Sequence, residues 1–330
     1  MVPDQIKKQK TLSLYRYGDP RLLRILISLT VMIVALILAI IIVSVNRSLS
    51  NNSRPSEEQN TIIEIPDEEK VNDDEEDKTD EEEIVVQLPE KIDFQPAVDS
   101  FANTSGVKSV IIYDLERDEM VGEYNANTSY FTASLYKLFV VYEGYIRVQN
   151  GIWDPNAPCG STGRTIIECL DLAIRESNSP CAETLWAMIG RTNLDSIVND
   201  TFGINETTVS RLVTTPNDIL KIMKMFYEHK EITDETLLAR MKDSFLNQPI
   251  TEYNWRQGLP SGFSSAKVYN KVGWDYNPDG KYWNYYHDTA IVEFPGQNRH
   301  FIVVVMSSKV PYQRIRQLGA DIEKTFLSHQ

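Results

Sequence analysis

The pattern of apolar and polar positions divides the chain into three stretches of different kind. Residues 25–45 are 21 consecutive positions without a charge, with only Ser28, Thr30 and Ser44 polar and 15 Leu, Ile or Val residues. A helix of that length spans roughly 30 Å, the hydrocarbon thickness of a bilayer. Apolar residues on every face suit lipid better than a soluble core, so the pattern predicts one transmembrane helix. A cleaved signal peptide is the rival reading, but the run is longer than a signal's apolar region and Ser44-Val45-Asn46 is a poor cleavage site. Six basic residues precede the run and only Arg47 and Arg54 closely follow it. Positive charge stays inside, so residues 1–24 are expected to form a cytoplasmic tail, with everything after residue 45 outside the cell membrane.

Residues 46–88 show neither helical nor strand periodicity. Acidic blocks such as Asp73-Asp74-Glu75-Glu76-Asp77 repel one another and bury too little apolar surface to offset chain entropy, which predicts a disordered acidic linker. From residue 89 to residue 330 the pattern becomes that of a folded domain. A helix is expected over 88–103, strands over 109–113 and 120–124, and then a helical tract over 133–148, 165–175, 180–189 and 216–229. Strands return at 267–274, 289–294 and 301–307, and a helix closes the chain over 311–327. Strands from both chain ends with helices between them imply an α+β domain, with an antiparallel sheet completed by the two ends and an all-α lobe inserted.

The charge follows these divisions. The whole chain carries −14, but residues 1–54 carry +6, residues 57–90 carry −14 and residues 91–330 only −6. No segment of the domain is strongly basic, which argues against a nucleic-acid partner. The four histidines (His229, His287, His300, His329) are scattered and match no zinc spacing, and no glycine-rich phosphate loop is present, so neither metal nor cofactor is expected. Of the three cysteines, Cys169 and Cys181 lie on consecutive predicted helices flanking Ser177 and are the favoured disulfide pair outside a membrane. Three reduced thiols are the alternative.

A serine followed three positions later by lysine occurs three times, at Ser105, Ser134 and Ser264. Positions i and i+3 share a face only on a helix. Ser134-Leu135-Tyr136-Lys137 alone opens a strong apolar helix, which puts a hydroxyl beside an amine at a helix N-terminus. There a neutral amine could take the serine proton, and a backbone N–H could meet a developing oxyanion.

With three further segments this one resembles the serine β-lactamases and penicillin-binding proteins, most nearly the class A β-lactamase type. Phe131 to Lys137 is similar to the S-x-x-K segment, Ser177-Asn178-Ser179 to S-D-N at the join of two helices, Lys271-Val272-Gly273 to K-T-G, and Thr214-Thr215-Pro216 to a threonine-proline helix start. The resemblance implies a class A β-lactamase-like fold, with Ser134 as acylated nucleophile, Lys137 as its base, Ser177 as proton shuttle and Lys271 as the cation that tunes the shuttle and attracts a substrate carboxylate. Ser179, Val272, Gly273 and Trp274 would contact substrate, and the N–H groups of Ser134 and Trp274 would form the oxyanion hole.

Three departures qualify that expectation. Ser179 replaces the usual Asn, Val272 replaces a hydrogen-bonding Thr or Ser, and residues 203–214 are too short for the E-x-x-x-N stretch that activates the deacylating water. Glu206 is a lone acid there. The expected function is therefore a membrane-anchored, extracytoplasmic serine hydrolase or acyltransferase that acylates on a peptidoglycan D-alanyl peptide or β-lactam and deacylates slowly. An effective β-lactamase and a catalytically degenerate binding module are the alternatives. The aromatic tract 275–287 is expected to pack a hairpin onto the domain, or to wall the substrate.

Overall fold

The computed structural model describes residues 88–251, 253–276 and 283–330. The tail, the span over 25–45 and all but the last residue of the linker lie outside the described residues. Among the described residues no helix is long and apolar enough to cross a membrane.

Chain order begins with α1 (Gln95–Ala102), β1 (Val107–Asp114), β2 (Glu119–Tyr124) and the short β3 (Tyr130–Phe131). The helical lobe follows as α2 (Tyr136–Gln149), α3 (Ile166–Arg175), α4 (Ser179–Ile189) and α5 (Arg191–Ser196). After β4 (Val213–Thr214) come α6 (Pro216–Glu228) and α7 (Glu235–Leu246). The chain returns through β5 (Lys267–Tyr276), β6 (Trp283–Phe294) and β7 (Arg299–Ser308) to α8 (Tyr312–Leu327).

The five long strands form one sheet in the order β2-β1-β7-β6-β5. Every pair is antiparallel, and β1 lies against β7 with Val110 opposite Val305 and Ile112 opposite Val303. The two chain ends thus complete one sheet, as the pattern predicts. Alternate residues of the central strands face two different cores. Val110, Ile112, Val303 and Val305 pack with α1 and α8, while Ile111, Ile302, Val304 and Met306 pack with the helical lobe. A strand buried on both faces reads as an unbroken apolar run, which is the pattern seen in 301–306.

Helix α2 is the axis of the lobe, with Leu138, Phe139, Val140, Val141 and Tyr142 fully enclosed. Helix α3 starts at a capping box in which the Thr165 hydroxyl accepts from Glu168 N and Glu168 Oε2 accepts from Thr165 N. The first turn of α3 is tied to the first turn of α4 by the Cys169–Cys181 disulfide, and Cys159 is buried and free.

Three expectations are corrected. The first helix begins at Gln95, not at residue 88, because residues 88–94 run without helical hydrogen bonds, Phe94 N donates to Val121 O, and Pro96 sits in the first turn, where proline starts helices. Strand β6 begins at Trp283, so the second half of the aromatic tract is sheet rather than loop. Helix α7 is absent from the predicted elements. It is capped by Asp234, whose Oδ1 accepts from Thr236 N and Leu237 N, and it buries Leu237, Met241, Ser244 and Phe245.

Candidate active site

Ser134 sits in a single 3-10 turn (Ala133–Leu135) that runs straight into α2. That turn is held from two sides. Thr132 N donates to Leu212 O at 2.8 Å, continuing the β3–β4 pairing, and Ala133 adopts a left-handed φ of 43°. On the other side β5 comes so close that a Cβ on Gly273 would lie 2.9 Å from Thr132 O and 2.8 Å from Leu135 Cγ. Only glycine allows that approach, which assigns Gly273 a packing role at the site's edge.

One helical turn on, Lys137 is wholly buried and its Nζ lies 3.0 Å from Ser134 Oγ. The same nitrogen donates to Ser177 O at 2.5 Å, Ser177 Oγ at 3.2 Å and Ser179 Oγ at 3.1 Å. Ser177, at φ 54°, is the left-handed residue between α3 and α4, a conformation that turns its carbonyl and its hydroxyl towards Lys137. Asn178 caps α4 by accepting from Cys181 N at 3.0 Å. The cap and the disulfide anchor both arms of the Ser177 turn.

Lys271 of β5 completes the cluster. It is 1% exposed, and its Nζ donates to Ser177 Oγ at 2.9 Å and to Val272 O at 2.7 Å. Two amines therefore flank one hydroxyl. Burial pushes the Lys137 amine down to about 7, against which the Glu183 carboxylate acts weakly in the other direction. Lys271 is pushed well below the ordinary lysine range, first by burial and then by Lys137, with Asp288 opposing. At neutral pH about half of Lys137 is unprotonated and able to accept the Ser134 proton.

The structure brings Ser134, Lys137, Ser177, Ser179 and Lys271 together, and Trp274 lines the same cleft as Ser134, Ser177 and Ser179. Val272 is not among the residues that line it and is 1% exposed. Glu206 is exposed and also lies off the cleft, with its N–H on Asp218 Oδ2. Thr215 caps α6, and Pro216 occupies its first turn, so the threonine-proline pair is architectural.

Several supporting residues escape the sequence reading. His287, opposite Gly273 in β6, is fully buried; its Nδ1 accepts from Ser307 N at 3.0 Å, so Nε2 carries the hydrogen and donates to Phe131 O at 2.8 Å. Burial lowers its pKa to about 4, which keeps it neutral. Asp288, opposite Val272, accepts from Asn270 Nδ2 and Leu259 N, and burial raises its carboxyl to about 7. Tyr253 and Trp255, from the irregular chain after α7, line the cleft with Trp274, their rings 4.9 and 5.3 Å apart in sequence. Of the aromatic tract 275–287, Tyr285 packs on Phe131 and Tyr286 on Trp274, while the side chains of Tyr276, Tyr282 and Trp283 lie outside the described ones. Among the described residues no His, Cys, Asp and Glu cluster has a metal-binding arrangement.

No curated protein matches the sequence. Among solved structures, a variant of the class A β-lactamase of the last common ancestor of Gram-negative bacteria superposes with a TM-score of 0.61 at 16% identity, covering 72% of this chain and 100% of that one. PBP-A matches with a TM-score of 0.60 at 15% identity over 73% and 100% of the two chains. A β-lactamase from Chitinophaga pinensis gives 0.60 at 15% identity over 71% and 98%. These likenesses show a class A β-lactamase-like α+β fold. The family model described as "Beta-lactamase enzyme family" matches residues 93–326, and the chain belongs to that family.

Proposed function

We propose that this chain is a serine acyl-transfer enzyme in which Ser134 is the nucleophile. The observation that carries the reading is the shared hydrogen-bond cluster in which Lys137 Nζ reaches Ser134 Oγ while Lys137 and Lys271 both hold Ser177 Oγ. Neutral Lys137 takes the Ser134 proton as Oγ forms a bond to the acyl carbon. The proton then passes through Ser177 Oγ to the leaving group as its bond to the acyl carbon breaks. The products are an acyl ester on Ser134 and a protonated leaving group. Backbone N–H groups of Ser134 and Trp274 are the proposed donors to the intermediate's oxyanion. Wall-peptide and β-lactam acyl donors are the substrate class that family membership suggests.

Deacylation is proposed to be slow. A water attacking the ester needs a base, and the one carboxylate among the described lining residues is Glu176, next to the shuttle and not on the loop over 203–214. We further infer, from sequence alone, that residues 25–45 anchor the protein in a cell membrane with the domain extracytoplasmic. Protease accessibility in intact cells tests the topology.

The chemistry is tested by incubating the full chain with a fluorescent penicillin and with the methyl ester of a penicillin, followed by intact-mass spectrometry. A stable adduct that is lost in Ser134→Ala and strongly slowed in Lys137→Met is the expected result. An adduct that survives Ser134→Ala refutes the nucleophile, and rapid turnover of either reagent refutes slow deacylation.

A further inference from the structure

On the acyl-transfer reading above, we propose that the cleft selects acyl donors whose leaving group carries no carboxylate: amides, esters or thioesters with an uncharged or amine-bearing leaving group, set against an aromatic wall. Three independent observations point the same way.

The first is the charge on the cleft surface. Among the described residues that line it, Glu176 carries the one formal charge, and it is negative. An arriving carboxylate would meet like charge and would lose its hydration with no cationic partner among those described residues.

The second is where the cations are. Lys137 and Lys271 lie beneath the cleft, 0% and 1% exposed. Lys137 Nζ has four protein oxygens within 3.2 Å, and Lys271 is directed to Ser177 Oγ and Val272 O. Their hydrogen bonds go to the protein itself. Burial also favours the neutral form of Lys271, which weakens any attraction it exerts on an anion. Val272, next in the strand, offers a hydrocarbon side chain that is itself buried.

The third is the wall. Tyr253, Trp255 and Trp274 form a continuous aromatic surface, with Tyr253 37% exposed. Aromatic faces carry negative quadrupole density, so they favour apolar and cationic groups and disfavour carboxylates. A terminal amino acid leaving with its free carboxylate is a poor fit, whereas an internal amide bond suits the cleft.

The test uses the full chain and two hippuryl thioesters that differ in one group, with mercaptoacetate or mercaptoacetamide as the leaving thiol. Acylation of Ser134 is followed by mass and by thiol release, and each rate is divided by the uncatalysed hydrolysis rate of the same thioester. The mercaptoacetamide ester is expected to acylate at least about tenfold faster. Glu176→Gln narrows the gap several-fold. Added salt does the same in the unmodified protein by speeding the mercaptoacetate ester alone, which keeps the test independent of whether the variant folds. Equal rates, or a preference for mercaptoacetate, overturn the inference while leaving acyl transfer standing. No Ser134 adduct from either thioester overturns acyl transfer itself, and the inference with it.

Discussion

The proton on Lys137 should govern the acid side of the reaction. Lowering a lysine from its ordinary 10.5 to about 7 corresponds to about 5 kcal/mol in favour of the neutral amine. With that value about a tenth of the enzyme holds a free base at pH 6, about half at pH 7 and about nine-tenths at pH 8. Single-turnover acylation, measured by quenched flow and mass spectrometry, should therefore rise about tenfold between pH 6 and 8 and level off above. Glu183 stabilises the charged form of Lys137 and also accepts from Tyr136 Oη at 2.9 Å. Glu183→Gln keeps an acceptor for the tyrosine, removes the charge and should move the rising limb to lower pH. The same proton sets stability. Between pH 7 and 10.5 the unfolded chain holds a proton that folded Lys137 does not, so stability rises with pH in that window. From pH 7 to 8.5 the gain from Lys137 is about 2 kcal/mol, measurable in denaturant titrations, and Lys137→Met should remove that share. A rate flat from pH 6 to 8 would refute the lowering of Lys137 by burial, and a limb that moves upward in Glu183→Gln would refute the opposing part given to the Glu183 carboxylate.

Three further outcomes are expected. Gly273→Ala forces a methyl group against Thr132 O and Leu135 Cγ, both parts of the nucleophile turn, and should lower both the melting temperature and the Ser134 acylation rate. Cys169→Ser with Cys181→Ser should cost roughly 3 kcal/mol in guanidinium unfolding and, by loosening the Ser177 turn, slow acylation more than it weakens binding. His287→Phe strands the Phe131 carbonyl and the Ser307 N–H in a buried site, which should cost about 1–3 kcal/mol for each group. It should also abolish the His287 share of stability, which is present above pH 6.5 and is lost as pH falls through about 4.

The parts of the site that were legible in the sequence are those set by local geometry. Ser134 and Lys137 share a helix face at i, i+3; Ser177 sits at a helix join that Asn178 and Pro180 announce; Lys271 lies on an evident strand. The sheet was legible for the same reason, since apolar runs at both chain ends need partners. His287 and Asp288 were not, because their meaning depends on strand register. Nothing in Tyr286-His287-Asp288 says that the histidine will face Gly273 and the aspartate Val272, or that both will be fully buried. Tyr253 and Trp255 were missed because the chain after α7 has no period to read, and a loop's direction is set by what it packs on. Helix α7 carried a readable signal, Asp234 as cap with apolar residues at 237, 241 and 245. The acidic composition mattered least, because −14 falls on residues 57–90 while residues 91–330 carry only −6.

Burying two amines around one serine is unfavourable for folding, and the surrounding structure has to hold them there. A Lys137 displaced into solvent would recover its ordinary pKa and lose its value as a base. What prevents this is the number of constraints on the Ser177 turn: the disulfide between α3 and α4, the Asn178 cap, and two buried lysines bonded to the same hydroxyl. On the sheet side the corresponding constraints are Gly273 against the nucleophile turn and His287 tying β6 to Phe131. None of these contacts needs to touch substrate. They fix the separation of two secondary-structure units whose facing edges carry the nucleophile, the base and the shuttle. Variants in them should therefore lower the acylation rate through Lys137's environment, recognisable as a rising limb moved towards higher pH, whereas variants in the aromatic wall should leave the limb in place and change only which acyl donor is preferred.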